Sequence, residues 1–250
     1  MSLKLGNINI SDVKLGNSQV NSVYLGTQKI WSKYTPFATP ILDLDFQNNF
    51  IDKSPSALTM VQGQGLPTFG LSGRKSGEYC ANFNGSQSIK TTTNLPINSD
   101  KVCVKFFIKT SQTSLGCLFE LSQNLNANNA FACFINDLIV NRLEVVDNNI
   151  SQINIGHSVS NINTSNWIHV IVSIDRTLGN VQNIIYINGV VSYVQNSANA
   201  NLNGNWVNNI LHIGQRAGNS LGYIGSLMKY QAFRAVPTDA QAMEIYQNDL

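Results

Sequence analysis

From residue 41 onward, apolar and polar residues alternate in short runs, and this period of two constrains the fold more than any other feature of the sequence. The alternation is clearest at 42–46, 102–109 and 168–174. Because successive side chains of a β-strand point to opposite faces, each run predicts a strand with one buried and one outward face. Gly, Asn and Ser separate the runs, as they do in turns. The pattern therefore predicts an all-β fold, a two-sheet antiparallel sandwich.

One helix signal stands at the C-terminus. Thr238-Asp-Ala-Gln241 has the form of a capping box, in which the first and fourth residues bond to each other's backbone N–H groups. The apolar residues Ala242, Met243, Ile245 and Tyr246 follow it. The sequence predicts a single short C-terminal helix beside the sandwich.

The start of the chain repeats a short motif with a period of ten: Leu5-Gly6, Leu15-Gly16 and Leu25-Gly26, each followed by Asn or Thr. Glycine permits the positive φ of a tight turn, so the repeat predicts strand, turn and strand in a small β-meander. So short a unit cannot bury its apolar face alone and must pack on the rest of the chain, another copy or a different protein. The predicted units are an attachment segment (1–35), a linker with two prolines (36–40) and the main domain (41–250).

Composition excludes several classes of partner. Only 12% of the residues are charged, and 34 asparagines fill many of the polar positions. A net charge of +2 with scattered Lys and Arg provides no basic field, so nucleic acid is not expected as a partner. No apolar run is long enough to cross a membrane, and the N-terminus lacks the apolar core of a secretory signal. We therefore expect a protein made in a cytoplasm, with Cys80, Cys103, Cys117 and Cys133 as reduced residues of strands.

Several motifs of the main domain occur in the order known from a large family of β-sandwiches. They are Leu42-Asp-Leu-Asp-Phe46, Ala81-Asn-Phe-Asn-Gly85, Asn166-Trp-Ile-His-Val170, Ile185-Tyr-Ile-Asn-Gly189, His212-Ile-Gly214, Gly222-Tyr-Ile-Gly225 and, before a helix, Thr238-Asp239. Over residues 41–248 the chain resembles laminin-G-like, concanavalin A-like jelly rolls. The resemblance implies a jelly-roll sandwich but no single function, because that fold hosts lectins, glycosidases and adhesion modules.

Members of that family often carry Asp where this chain has Asn84, Asn188 and the pair Met228-Lys229. A calcium site requires several carboxylate or carbonyl oxygens, and these residues remove negative charge or add positive charge. We therefore expect no bound metal and no cofactor.

Residues 24–31, Tyr-Leu-Gly-Thr-Gln-Lys-Ile-Trp, resemble the short "YLG-x-x-x-(I/V)-W" repeats at the starts of bacteriophage virion proteins. The resemblance implies that the N-terminal segment attaches the chain to a particle. The residues expected to make this contact are Leu5, Leu15, Tyr24, Leu25, Ile30 and Trp31. An ordinary N-terminal hairpin is the alternative interpretation.

Candidate catalytic groups are few. Retaining glycosidases of this fold carry their carboxylates on one strand as E-x-D-x-E, and none of the four Glu residues stands in that pattern. A pair from different strands, Glu120 with Glu144, is left, and we interpret both as surface charges. The three histidines lack metal spacing, and no G-x-S-x-G motif is present. We expect no enzymatic activity and assign no catalytic residue.

Binding of a neutral glycan is the remaining site chemistry, since it requires an aromatic face and amide groups that reach sugar hydroxyls. The Asn-rich loop before Trp206, and the loop that follows His212, contain both. The predicted glycan-binding residues are Trp206, Asn203, Asn205, Arg216, Asn219 and Tyr223. The alternative is that an Asn-rich composition places Asn in every loop and that Trp206 is a core residue.

These observations favour a bacteriophage virion structural protein, as a decoration protein, head or tail fibre, or adhesin. Its N-terminal segment would contact other virion proteins, and its lectin-like jelly roll would face outward and bind host-surface or mucosal glycans. A symmetric homo-oligomer is expected, because virion proteins rarely act alone. The alternative is a free bacterial carbohydrate-binding or adhesion module, and a glycoside hydrolase is the third hypothesis.

Overall fold

A computed structural model describes most of the sandwich and the strands of the N-terminal segment. The described residues are 4–5, 8–9, 13–15, 18–20, 22–25, 28–32, 36–122, 130–137, 139–149, 152–158, 161–177, 181–197, 206 and 209–250.

The N-terminal repeat forms three two-stranded hairpins. Their strands are β1 (Lys4–Leu5), β2 (Ile8–Asn9), β3 (Val13–Leu15), β4 (Ser18–Val20), β5 (Ser22–Leu25) and β6 (Gln28–Ser32). Each repeat leucine ends the first strand of its hairpin, and the pairs Leu5↔Ile8, Leu15↔Ser18 and Leu25↔Gln28 close the ladders. The predicted hairpins are confirmed, although the described strands form three separate sheets and not one meander. The side chains of the six predicted attachment residues lie outside what the structure describes.

After residue 35, the described part of the chain contains fifteen strands and one helix. They are β7 (Leu42–Leu44), β8 (Met60–Gln62), β9 (Thr68–Gly70), β10 (Cys80–Asn84), β11 (Ile89–Thr91), β12 (Lys101–Lys109), β13 (Gly116–Ser122), β14 (Ala130–Ile135), β15 (Leu143–Asn149), β16 (Gln152–His157), β17 (Ile168–Asp175), β18 (Val181–Ile187), β19 (Val190–Ser197), β20 (Ile210–Ile213), β21 (Ile224–Phe233) and α1 (Asp239–Asp249).

These strands make two antiparallel sheets. The eight-stranded sheet has the order β19-β18-β17-β12-β21-β10-β9, and β7 pairs with the C-terminal half of β21 beyond β10. The seven-stranded sheet has the order β16-β15-β14-β13-β20-β11-β8. The predicted all-β architecture is therefore correct.

The main core lies between the sheets and consists of the inward residues of the alternating runs. On β12 and β17, for example, Val102, Val104, Val170 and Val172 are buried in this core. The outward neighbours Cys103 and Ile171 belong to a second cluster with Phe233, Ala242 and Ile245. Helix α1 therefore covers the outer face of the eight-stranded sheet.

Two motif glycines of the family resemblance meet in space. Gly85 N donates to Tyr223 O at 3.0 Å, and a Cβ atom added to Gly222 would lie 1.7 Å from Gly85 O. The two segments are 137 positions apart in sequence, yet their backbones pack too closely for any side chain at Gly222. The motif glycines thus serve the close approach of two loops at one end of the sandwich.

Each of the four cysteines lies on a strand, and all are buried and free. The predicted strand positions of Cys80, Cys103, Cys117 and Cys133 are confirmed. No helix in the described part of the chain is long and apolar enough to cross a membrane.

Candidate functional site

The two aromatic residues predicted to hold a glycan are in the interior. Trp206 is completely buried, and its ring lies 6.5 Å from that of Phe131 in the main core. Tyr223 is also completely buried, with its hydroxyl 3.1 Å from the carbonyl oxygens of Lys109 and Ser226. Neither ring can offer a face to a sugar, so this part of the prediction is wrong. The residues instead fill the core, where large aromatic side chains contribute most apolar area.

Of the remaining predicted glycan residues, the structure describes Arg216 and Asn219, which lie on one turn. Arg216 lies on the turn after β20, where its Nε donates to Glu120 Oε2 at 2.7 Å. Asn219 is exposed on the same turn, in the left-handed region with φ 63°. Asn203 and Asn205 lie outside the described residues.

Glu120 and Glu144 are not surface charges, contrary to the sequence interpretation. They are 1% and 2% exposed. Glu120 accepts hydrogen bonds from Arg216 and from Ser122 Oγ at 2.6 Å. The guanidinium of Arg216 and the hydroxyl of Ser122 occupy this carboxylate, which has almost no exposed surface for contact with a substrate.

A different site emerges on the outer face of the eight-stranded sheet. The register of the strands places Asp43 of β7 beside Gln231 of β21, and Gln231 beside Lys105 of β12. All three side chains belong to outward positions, because Leu42, Leu44 and Val104 belong to the main core. One row across three strands therefore carries a carboxylate, an amide and an ammonium group.

Helix α1 and residues 36–40 enclose this row and make a cleft of about 400 Å³. We call it the helix-side cleft. Its lining residues are Pro36, Phe37, Ala38, Pro40, Asp43, Asp45, Lys105, Lys229, Gln231, Phe233, Ile245 and Asp249. The volume lies within the range of small-molecule sites.

The apolar wall of the cleft comes from the segment predicted as a linker. Phe37 packs against Phe233, with ring centroids 4.7 Å apart and planes at 52°. Phe37 and Ala38 are partly buried against the cluster that contains Ile245. Residues 36–40 are thus packed against the sandwich where the cleft opens.

The polar wall is a network of ion pairs around the end of α1. Lys105 Nζ lies 2.6 Å from Asp249 Oδ2, and Lys229 Nζ lies 3.3 Å from Glu78 Oε1. Lys229 has φ 52° and sits where the pairing of β12 with β21 is irregular, so that its side chain turns toward the cleft. The two lysines that line the cleft are therefore both paired with acidic groups.

His169 supports this wall from behind. The ring is 1% exposed, packs 4.8 Å from Phe107 and places Nε2 3.2 Å from Asp249 Oδ2. Burial lowers the pKa of His169 despite the nearby carboxylate. For Asp249, burial would raise the pKa, but the hydrogen bond with His169 and the Lys105 ammonium lower it to about 2. The end of α1 thus carries a firmly ionised carboxylate.

Asp43 differs from its neighbours. Burial raises the pKa of its carboxyl, while the hydrogen bond with Gln231 and the charge of Lys105 oppose that rise. No basic side chain in the described ranges lies within ion-pair distance of this carboxylate. Asp43 is therefore available to accept hydrogen bonds from a ligand.

No residue that lines the helix-side cleft was among the functional residues predicted from the sequence. The signal was present for Asp43 and Lys105, since a charged residue alternates with core residues at both positions. Their adjacency depends on which strands pair and in what register, and one sequence does not show that.

No protein-family model matches the chain, and no curated protein matches it. Among solved structures, the binding domain of botulinum neurotoxin serotype G is similar, with a TM-score of 0.61, 14% identity, and coverage of 84% of this chain and 51% of that one. The binding domain of Paraclostridial Mosquitocidal Protein 1 has a TM-score of 0.65, 12% identity, and coverage of 84% and 52%.

A third similar structure has a TM-score of 0.64, 16% identity, and coverage of 84% of this chain and 51% of its own. Its description states that cell entry of botulinum neurotoxin type C depends on interaction with two ganglioside molecules. The chain spans about half of the length of these neighbours. At such low identity the similarity shows the fold alone, and it confirms the antiparallel two-sheet sandwich.

Proposed function

We propose that this chain is a glycan-binding β-sandwich and that the helix-side cleft is its binding site. The observation that carries this proposal is the joining of an aromatic wall, at Phe37, with the outward row of Asp43, Gln231 and Lys105. Apolar faces of sugar rings pack on aromatic side chains, and their hydroxyls bond to carboxylate and amide groups. The solved structures of similar fold are binding domains, and one is described with gangliosides.

The proposal is tested by measuring glycan binding of the full chain and its variants on an array and by calorimetry. Phe37→Ala and Gln231→Ala each remove one contact, and we expect affinity to fall about tenfold, the loss typical of one hydrogen bond or ring contact. Thr113→Ala is the matched control, because Thr113 is exposed and belongs to neither the cleft nor the turn after β20. Binding that is unchanged in both cleft variants excludes the cleft.

The turn after β20 is the competing location for the site. Asn219→Gly removes the exposed amide and keeps a residue that tolerates the positive φ of this position. If this variant loses binding while Phe37→Ala keeps it, the glycan site is on that turn.

We further propose that the N-terminal hairpins attach the sandwich to a bacteriophage particle, so that the chain is a virion protein such as a decoration protein, fibre or adhesin. Support comes from the threefold Leu-Gly repeat, from its hairpin pairing and from the resemblance at residues 24–31. The expected partners are other virion proteins and further copies of the chain, and the protein would be made in the cytoplasm of the bacterial host.

Mass spectrometry of purified phage particles tests this attachment. A full-length Leu15→Asp/Leu25→Asp variant is expected to bind glycans normally and to be lost from the particles, while Asp137→Asn is incorporated like the original chain. If the chain is absent from every particle but binds glycans, it is the alternative, a free bacterial carbohydrate-binding or adhesion module.

We also propose that the chain is not an enzyme. Support comes from the burial of both carboxylates considered for glycoside hydrolysis, Glu120 and Glu144, which are 1% and 2% exposed and so have almost no surface for contact with a substrate. Release of reducing sugar by the chain, lost in Glu120→Gln or Glu144→Gln, would contradict this proposal.

A further inference from the structure

The lysines of the helix-side cleft are not free to bind an anion. Lys105 is 6% exposed and bonded to Asp249, and Lys229 faces Glu78 and also lies 3.3 Å from the Asp249 carbonyl oxygen. Lys53, next to the cleft, pairs with Asp45. An anionic ligand would have to separate one of these ion pairs, leaving a partly buried carboxylate without its partner.

One carboxylate of the cleft has no ion-pair partner among the described residues. Asp43, Asp45 and Asp249 all line the cleft, and Asp43 has no cation within ion-pair distance among the described residues. Its carboxylate is half-buried and adjoins Gln231 in the outward row. Two carboxylate oxygens can accept hydrogen bonds from two neighbouring hydroxyls of a sugar, whereas a second carboxylate at the same place is repelled.

We infer that the helix-side cleft selects uncharged, hydroxyl-rich sugars and discriminates against sugars that carry a carboxylate, with Asp43 as the residue that determines this selectivity. The inference rests on the proposed function, because it specifies the class of glycan for the same site. Gangliosides carry sialic acid and are therefore acidic, so the sugar class proposed here differs from that in the description of the botulinum neurotoxin type C structure.

The experiment compares lactose with sialyllactose, which differ by one acidic sugar, in calorimetric titrations of the full-length chain. We expect lactose to bind at least about tenfold more tightly than sialyllactose, because two like charges brought together in a binding site repel each other and lower the affinity. In Asp43→Asn the affinity for lactose is expected to fall about tenfold, and sialyllactose is expected to bind no more weakly than before. The preference for lactose therefore shrinks or disappears.

Asp137→Asn is the matched control, since it removes an exposed carboxylate from the turn between β14 and β15 and should leave the preference unchanged. Phe37→Ala distinguishes a failure of the selectivity from a failure of the proposed binding site, because it weakens binding of both sugars if the cleft is the site. If sialyllactose binds as tightly as lactose and Phe37→Ala weakens both, the selectivity is overturned and the proposed function stands. If neither sugar binds, or if Phe37→Ala changes neither affinity, the site and its selectivity are both overturned.

Discussion

At the scale of single residues, the sandwich interior contains a buried ion pair between Arg176 and Asp147. Arg176, just after β17, donates from Nε to Asp147 Oδ2 at 3.3 Å, and both side chains are fully buried. The guanidinium carbon lies 4.0 Å from the ring centroid of Trp206. Burial raises the pKa of Asp147, and the charge of Arg176 opposes that rise. The aromatic ring and the carboxylate together replace the hydration that the Arg176 guanidinium loses on burial.

Removing one partner of this pair is expected to be costly. Arg176→Met leaves Asp147 buried without its cation, so we expect the free energy of unfolding to fall by about 3–5 kcal/mol. The matched control is Arg142→Met, at a partly exposed position, with an expected change within about 0.5 kcal/mol. Urea denaturation followed by fluorescence measures both. Equal stability of the two variants would show that the pair does not matter.

The proposed role of Asp43 in glycan binding predicts a dependence of affinity on pH. The ionised carboxylate accepts hydrogen bonds more strongly than the protonated carboxyl group does. Burial raises the pKa of Asp43 above the ordinary 3.8 against the effects of Gln231 and Lys105, and Asp45 and Asp52 add to the rise. Affinity for a neutral sugar is therefore expected to be constant near pH 7 and to fall on acidification before pH 3.8 is reached. Titrations from pH 7 to pH 4 measure this, and Asp43→Asn should remove the dependence. A fall of the same size in that variant would assign it to another group.

At the scale of elements, α1 is held at both ends by groups of different origin. Its N-terminus has its own capping box, with Gln241 N donating to Thr238 Oγ1 at 3.3 Å and Thr238 N donating to Gln241 Oε1 at 2.9 Å. At the C-terminus the last turn has no basic residue. Arg74 Nη2 instead donates to the Asp249 carbonyl oxygen at 2.7 Å, from a loop far away in sequence. Local sequence thus determines where the helix begins, and tertiary contacts stabilise its end.

The cap at Thr238 offers a test of the contribution of α1. We expect Thr238→Ala to reduce the free energy of unfolding by about 1 kcal/mol, because it leaves the backbone N–H of Gln241 in the first turn without its acceptor. Thr113→Ala is the control for loss of an exposed threonine without a cap. Thermal and urea unfolding of the three proteins gives the comparison, and no difference between the variants would mean that α1 frays without affecting the fold.

The turn between β18 and β19 shows how one element constrains another. Ile187 pairs with Val190 across Asn188 and Gly189, which both have positive φ, as the Asn-Gly sequence predicts for a two-residue hairpin. A Cβ atom on Gly189 would also lie 2.9 Å from Tyr246 Cβ and 3.0 Å from Met243 Cα. Gly189 therefore serves both the turn and the close approach of α1.

At the scale of the whole molecule, the sandwich buries all four of its thiols. Burial raises the pKa of Cys103, Cys117 and Cys133, so these thiols stay protonated and unreactive in the folded protein. We expect none of the four cysteines to react with a thiol reagent near pH 8 in the native state, and all four to react in denaturant. Reductant should not change the melting temperature. A rapidly reacting thiol in the native protein would contradict this arrangement.

Much of the fold could be predicted because its signals are local. Alternation at Val102 to Ile108 and Ile168 to Ile174 marks strands, the Leu-Gly repeat marks hairpins, and the capping box marks α1. Each of these features depends on the backbone and side-chain preferences of a few neighbouring residues. The candidate site was less predictable, because an aromatic residue near a loop looks the same in sequence whether it lies in the core, like Trp206, or at the surface.

The sequence by itself determined the all-β class, the hairpins of the N-terminal segment and the start of α1, since short-range geometry and composition are sufficient for these. Only the tertiary structure decided that Trp206 and Tyr223 are buried, that Glu120 is paired with Arg216, and that Asp43, Gln231 and Lys105 form one row beneath α1. The physical reason is that strand pairing and register bring together residues separated by up to nearly two hundred positions. The free energy that favours one register comes from packing of the whole core and not from any single segment.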